Sequence, residues 1–257
     1  MRRILGSLLG FGTALAVVLC AAPEPPPNHL SPDEQATGWK LLFDGKTANG
    51  WEGMAGTPFP AKSWAIEDGA IRTLDDNSGG DLISVRPYEN FELAFDWNIS
   101  PRGNSGVKYL VQKQWISTGF RPDLPEGKKQ RMRLSAIGLE YQILDDSVMR
   151  QRPGSEKSST GALYLLYEPK GKRVNAPGEW NQSRIVVRGN HGEHWLNGNK
   201  IAEFEFGSDD ILARVEKTKF KRAPGYGIKG PGYIVLTHHN SPAWFRNIKI
   251  HELPSGE

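Results

Sequence analysis

The chain has 257 residues, 38% of them hydrophobic and 24% charged, enough apolar content for one sizeable globular core. Its formal charge is +3, and removing Arg2 and Arg3 with the leader leaves +3 − 2 = +1, too little for an electrostatic footprint on nucleic acid. A neutral partner such as a sugar fits that balance better, and with Cys20 as the sole cysteine the folded part has no disulfide, thiol nucleophile or cysteine metal site.

The chain opens as an export signal. Met1-Arg2-Arg3 supplies a positive end and Ile4 to Leu19 a short apolar run, so residues 1–22 are read as a signal peptide. Cys20 stands where a lipoprotein signal places its acylated cysteine, and cleavage near Ala21-Ala22 is the alternative. The expected location is therefore the periplasm or cell envelope, with a lipid anchor as the one route to a membrane. No later segment is long and apolar enough to span a bilayer. Residues 23–37 begin with four prolines in five positions and read as an extended tether, and residues 38–253 as one domain.

Within the domain the pattern is all-β: short runs of period-two alternation cut by Gly, Pro and Asn-Gly turns. In Phe91 to Ile99 every odd position is apolar, which turns Asp96 and Asn98 away from the core. Val107, Tyr109 and Val111 form the next inward set, leaving Lys108 outward. Thr118 to Arg133 is rich in charge, carries two prolines and reads as a long exposed loop, either a solvated insertion or the rim of a cleft. Leu139, Tyr141 and Ile143 point inward and Glu140 and Gln142 outward; Ile185 and Val187 inward and Arg184 and Arg188 outward; Ile234 and Leu236 inward and Thr237 and His239 outward. Asn197-Gly198 between two strand-like runs predicts a two-residue type I′ hairpin. Many strands without a repeat predict an antiparallel β-sandwich. Of the eight tryptophans, Trp51, Trp64 and Trp115 lie near turns and are the candidate sugar platforms.

Several ordered blocks make the chain resemble the 3-keto-disaccharide hydrolase family: Gly38-Trp39-Lys40-Leu41-Leu42-Phe43-Asp44-Gly45-Lys46, Asn104-Ser105-Gly106-Val107-Lys108-Tyr109, Gly138 to Asp146, Gly178-Glu179-Trp180-Asn181, Asn190 to Gly198, and Phe245-Arg246-Asn247-Ile248-Lys249-Ile250. The sequence departs from the family where a Leu-Gln-Asp-His-Gly run is replaced by Leu236-Thr237-His238-His239-Asn240, and where no histidine follows Asp145-Asp146. The resemblance implies a concanavalin A-like jelly roll and cleavage of glycosides whose 3-hydroxyl has become a ketone. A C3 ketone acidifies the C2 proton, so elimination of the C1 substituent followed by addition of water needs one base, one proton donor and an enolate stabiliser.

On this reading Glu140, His194 and Lys108 are the catalytic candidates, the first two as base and the third as oxyanion stabiliser. Asp96, Asn104, Gln142, Asp145, Arg184 and His239 are the substrate-binding candidates, and Asn104, Lys108, Glu140, Gln142, His194 and His239 are expected on one concave sheet face. The expected partner is an oligosaccharide or glycoside. No cofactor is required; a divalent cation is compatible, but His191, His194, His238 and His239 are spaced so that each pair divides between strand faces, and the ligand set stays unknown. A non-catalytic carbohydrate-binding module is the alternative function.

Overall fold

The structure, a computed structural model, describes residues 26–117, 135–149 and 154–254. The segment read as a signal peptide, 1–22, and the whole charged segment 118–133 lie outside those residues. Fifteen short strands are described: β1 (Lys40–Leu41), β2 (Trp51–Gly53), β3 (Trp64–Glu67), β4 (Ala70–Thr73), β5 (Leu82–Ser84), β6 (Phe91–Ile99), β7 (Asn104–Val111), β8 (Ile116–Ser117), β9 (Ser135–Ala136), β10 (Leu139–Leu144), β11 (Asn181–Arg188), β12 (His191–Leu196), β13 (Asn199–Glu205), β14 (Tyr233–Leu236) and β15 (Ala243–Glu252). The larger sheet runs β13-β12-β11-β6-β15-β4-β3 with β1 also on β15, the smaller runs β10-β7-β14-β5-β2, and β8 pairs with β9 apart from both. Every pairing is antiparallel, giving the expected sandwich.

Alternation drives the stacking. Phe91, Leu93, Phe95, Trp97 and Ile99 of β6 are buried against the smaller sheet, which presents Val107, Tyr109, Leu139, Tyr141, Ile143, Ile234 and Leu236. Polar groups in this core are paired across the layers: Trp97 Nε1 donates to Ser183 Oγ (2.8 Å), Ser183 Oγ to the Tyr141 hydroxyl (2.9 Å), and that hydroxyl to the Trp195 carbonyl (3.2 Å).

One inward set breaks. Leu110 adopts φ +52° and joins the main core, which turns Val111 to the outer face of the smaller sheet, where it packs with Met54, Ile83, Ala136 and Val235. The register of β7 against β14 slips at that point, and Gly232 lies so close to the bulged backbone that a Cβ there would sit 2.2 Å from the Leu110 carbonyl carbon. The Asn197-Gly198 hairpin has the expected two-residue turn, with φ of 46° and 80° and Leu196 paired to Asn199.

The segment expected as tether is in part docked. Pro32–Ala36 forms a short helix, α1, opened by a capping box between Ser31 and Glu34, and Glu34 pairs with Lys249. Asn28 is buried, donates to the Gly69 carbonyl (2.8 Å) and accepts from the Asn247 N–H (2.7 Å). A second helix, α2 (Asp209–Val215), capped by Ser208, leads into a 3-10 turn at Lys219–Arg222. No helix among the described residues is long and apolar enough to cross a membrane.

Candidate active site

Strands β7 and β10 lie side by side with Lys108 opposite Glu140 and Gly106 opposite Gln142. Because Val107, Tyr109, Leu139, Tyr141 and Ile143 take the inward positions, Asn104, Gly106, Lys108, Glu140 and Gln142 share the outer face of the smaller sheet. His239, just past β14 on the other flank of β7, joins them. Ser135, Ser158, Tyr164, Lys219 and Phe220 complete a cavity of about 320 Å³.

Glu140 is buried in the wall of this cavity, and its Oε1 has no hydrogen-bond partner among the described residues. Gly106 makes room for it, since a Cβ there would lie 2.4 Å from that oxygen. Burial raises the carboxyl pKa, Asp81 raises it further, and the Lys108 and Lys219 ammonium groups oppose both. Lys108 Nζ donates to the Ala136 carbonyl (2.8 Å) and stands 3.6 Å from Asp81 Oδ2. Asp81 in turn accepts from the His238 N–H (2.9 Å) and the Ser135 hydroxyl (3.2 Å), so the ammonium is held in place from below. Burial lowers the pKa of Lys219, and Lys108 lowers it further against the pull of Glu140. Gln142 Nε2 donates to Asn104 Oδ1 (2.8 Å), which orients both amides along the floor. The set combines one carboxyl suited to proton transfer, two cations suited to a developing oxyanion, and amides matched to sugar hydroxyls.

Four of the residues expected in the site lie elsewhere. His194 belongs to β12 of the larger sheet and is fully buried between the layers: its Nδ1–H donates to the Gly161 carbonyl (3.0 Å) and its Nε2 accepts from the Tyr109 hydroxyl (2.9 Å). Burial depresses its pKa to about 4, so the ring is neutral and structural. Its period-two relation to the core residue Leu196 already carried that signal. Counting from a two-residue turn at Asn197-Gly198 would put Ile201 opposite His194, but Ile201 is bulged out of the β12–β13 register and Ala202 takes that place. Asp96 and Arg184 do point outward, but from the larger sheet: Arg246 Nε donates to Asp96 (3.3 Å), and Arg184 pairs with Glu92 (3.2 Å) over the Trp195 ring. Asp145 accepts from the Ser147 N–H (3.0 Å) and the Arg102 N–H (2.8 Å); the Ser147 hydroxyl, with these N–H groups, lowers its pKa, and the bonds commit it to turns at the end of β10.

Trp51 and Trp64 are likewise buried, with their indole N–H groups on the Leu42 and Gly80 carbonyls, and Trp115 packs against Tyr226. His238 is buried against Trp64. His191, Glu193 and Glu203 bring ligand atoms within 4.8 Å of one another on the outer face of the larger sheet, where Lys200 already binds both carboxylates and offsets one of their two charges. Lys219 and Tyr164 escape sequence reading because neither sits in a regular strand. Asp81 escapes as well, because Leu82 and Ile83 are both apolar and their pattern does not say which face Asp81 takes.

The fold and the cleft define the class by architecture, an antiparallel two-sheet β-sandwich with an ionisable cavity on the outer face of one sheet. Residues 38–251 match the model of the 3-keto-alpha-glucoside-1,2-lyase-like domain family, and the chain belongs to that family. A 3-keto-disaccharide hydrolase of Bacteroides thetaiotaomicron is 31% identical over 234 residues, covering 84% of this chain and 78% of that protein. Two solved Parabacteroides distasonis structures, described as candidate glycosyl hydrolases, share the fold. One has 35% identity and a TM-score of 0.72, with 89% of this chain and all of the other covered. The second has 28% identity and a TM-score of 0.60, with 84% and 99% covered. The chain is accordingly a glycoside hydrolase of this family.

Proposed function

We propose that this enzyme cleaves 3-keto-glycosides by elimination and hydration in the cleft around Glu140. The observation that carries the reading is the buried Glu140 carboxyl, with one oxygen unpartnered among the described residues, between two ammonium groups. Glu140 removes the C2 proton, and the electrons form the C2–C3 double bond of an enolate whose O3 is stabilised by Lys108 and Lys219. The enolate then collapses to a ketone with a C1–C2 double bond as the C1–O bond breaks, and the leaving oxygen takes a proton from His239 or from protonated Glu140. Water adds at C1 while C2 regains a proton, so the sum is hydrolysis to a 3-keto-sugar and the free leaving group. Asn104 and Gln142 hold ring hydroxyls. The names of the family and of the Bacteroides relative support this substrate class.

The test is incubation of the purified protein with a 3-keto-disaccharide and its unoxidised parent, following release of the 3-keto-monosaccharide. Turnover of the oxidised substrate alone is expected. Glu140→Gln should lower it at least about a hundredfold, the lower end for loss of a general acid–base, while the far-ultraviolet circular dichroism stays that of the wild type. A fully active variant overturns the role of Glu140. The leader motif supports export and acylation at Cys20; fatty-acid labelling that is lost in Cys20→Ser tests the anchor.

A further inference from the structure

The chain's overall charge is nearly balanced, yet the ground beside the cleft is not. A second cavity, of about 570 Å³, adjoins the first, and Lys219 lines both. Its wall carries Lys157, Arg214, Lys217 and Lys219 against a single carboxylate, Asp210. Asp210 is already bound by Arg214 Nε (2.9 Å) and by the Tyr167 hydroxyl, so the arginine charge is cancelled locally. Lys157, Lys217 and Lys219 form no ion pair among the described residues. The outer face of the larger sheet is built the other way: Arg184, Arg246 and Lys249 each answer a carboxylate.

Helix α2 and the turn after it fix this arrangement. Arg214 stacks over Tyr167 (4.2 Å) and donates to the Leu166 carbonyl (3.1 Å), tying the helix to the 154–167 segment that carries Lys157. Thr218 caps the turn at Phe220 N–H, which leaves Lys217 and Lys219 flanking one edge of the groove.

Resting on the function proposed above, we propose that the leaving-group half of the substrate is anionic, bearing a carboxylate or sulfate that lies in this lysine groove. With the 3-keto unit over Glu140, whatever is joined to its C1 extends past Lys219 into the second cavity. A neutral sugar there would leave Lys157 and Lys217 with no ion-pair partner among the described residues, whereas an acidic group supplies one. Attraction of this kind acts on encounter and binding and is screened by salt.

The experiment compares two 3-keto-disaccharides with the same reacting unit, one with glucose and one with glucuronic acid as the leaving sugar, and a third with a sulfated glucose. The acidic substrates should show at least about fivefold higher kcat/KM at 20 mM salt, an advantage that shrinks toward unity at 500 mM. The double variant Lys157→Gln/Lys217→Gln should abolish the advantage without changing turnover of the neutral substrate. Preference for one acidic substrate alone identifies the group; equal kcat/KM for all three, or a preference that survives the double variant, overturns the groove assignment while leaving the proposed function standing. If no substrate is cleaved, calorimetric binding of the unoxidised glucuronate disaccharide against its neutral counterpart still decides the groove: salt-sensitive, tighter binding of the acid that is lost in the double variant supports it, and equal binding overturns it.

Discussion

His194 makes the stability of this protein sensitive to mild acid, by an amount that follows from its surroundings. The ring is sealed between the sheets, donating to Gly161 and accepting from Tyr109, and its pKa falls from about 6.5 in the unfolded chain to about 4. A histidine depressed in this way contributes stability that is complete above the unfolded pKa and lost as pH falls from about 6.5 toward 4. At pH 4.5 the loss relative to pH 7.5 is of the order of 2.5 kcal/mol, a large part of the 5–15 kcal/mol typical of a domain. Urea unfolding followed by tryptophan fluorescence at both pH values, for the wild type and His194→Gln, isolates this contribution from every other titrating group. The variant loses some stability at all pH values, but its loss between pH 7.5 and 4.5 should be smaller than that of the wild type by about that amount. Equal losses in the two proteins would show that the ring is charged or solvated in the folded state and would refute its burial.

Two further perturbations probe the site and its frame. Lys219→Met removes a charge that lowers the pKa of Glu140, so the acid limb of the kcat/KM profile should move to higher pH; a limb that stays in place or moves down contradicts the assignment of Glu140 as the base. Gly232→Ala places a Cβ 2.2 Å from the bulged backbone at Leu110 and should destabilise the fold by at least about 2 kcal/mol in urea titration, whereas a loss below about 0.5 kcal/mol would mean that the bulge relaxes freely.

Period-two alternation by itself determined the sandwich and the outward set Lys108, Glu140 and Gln142, because strand geometry ties a residue's face to its parity, and the Asn-Gly pair determined the hairpin through its need for positive φ. Parity also turned Asp96 and Arg184 outward, correctly, but it carries no information on which of two sheets a strand joins, and the tertiary pairing sent them to the far side. The bulge at Leu110 reversed Val111, and the one at Ile201 changed the partner of His194; both depend on how closely neighbouring strands approach, which local pattern does not encode. Docking of Asn28 and α1 on the larger sheet, and delivery of Lys219 and the lysine groove to the mouth of the cleft, were decided only in three dimensions, since these segments lack the periodicity that would place them and acquire their neighbours through contacts far apart in sequence.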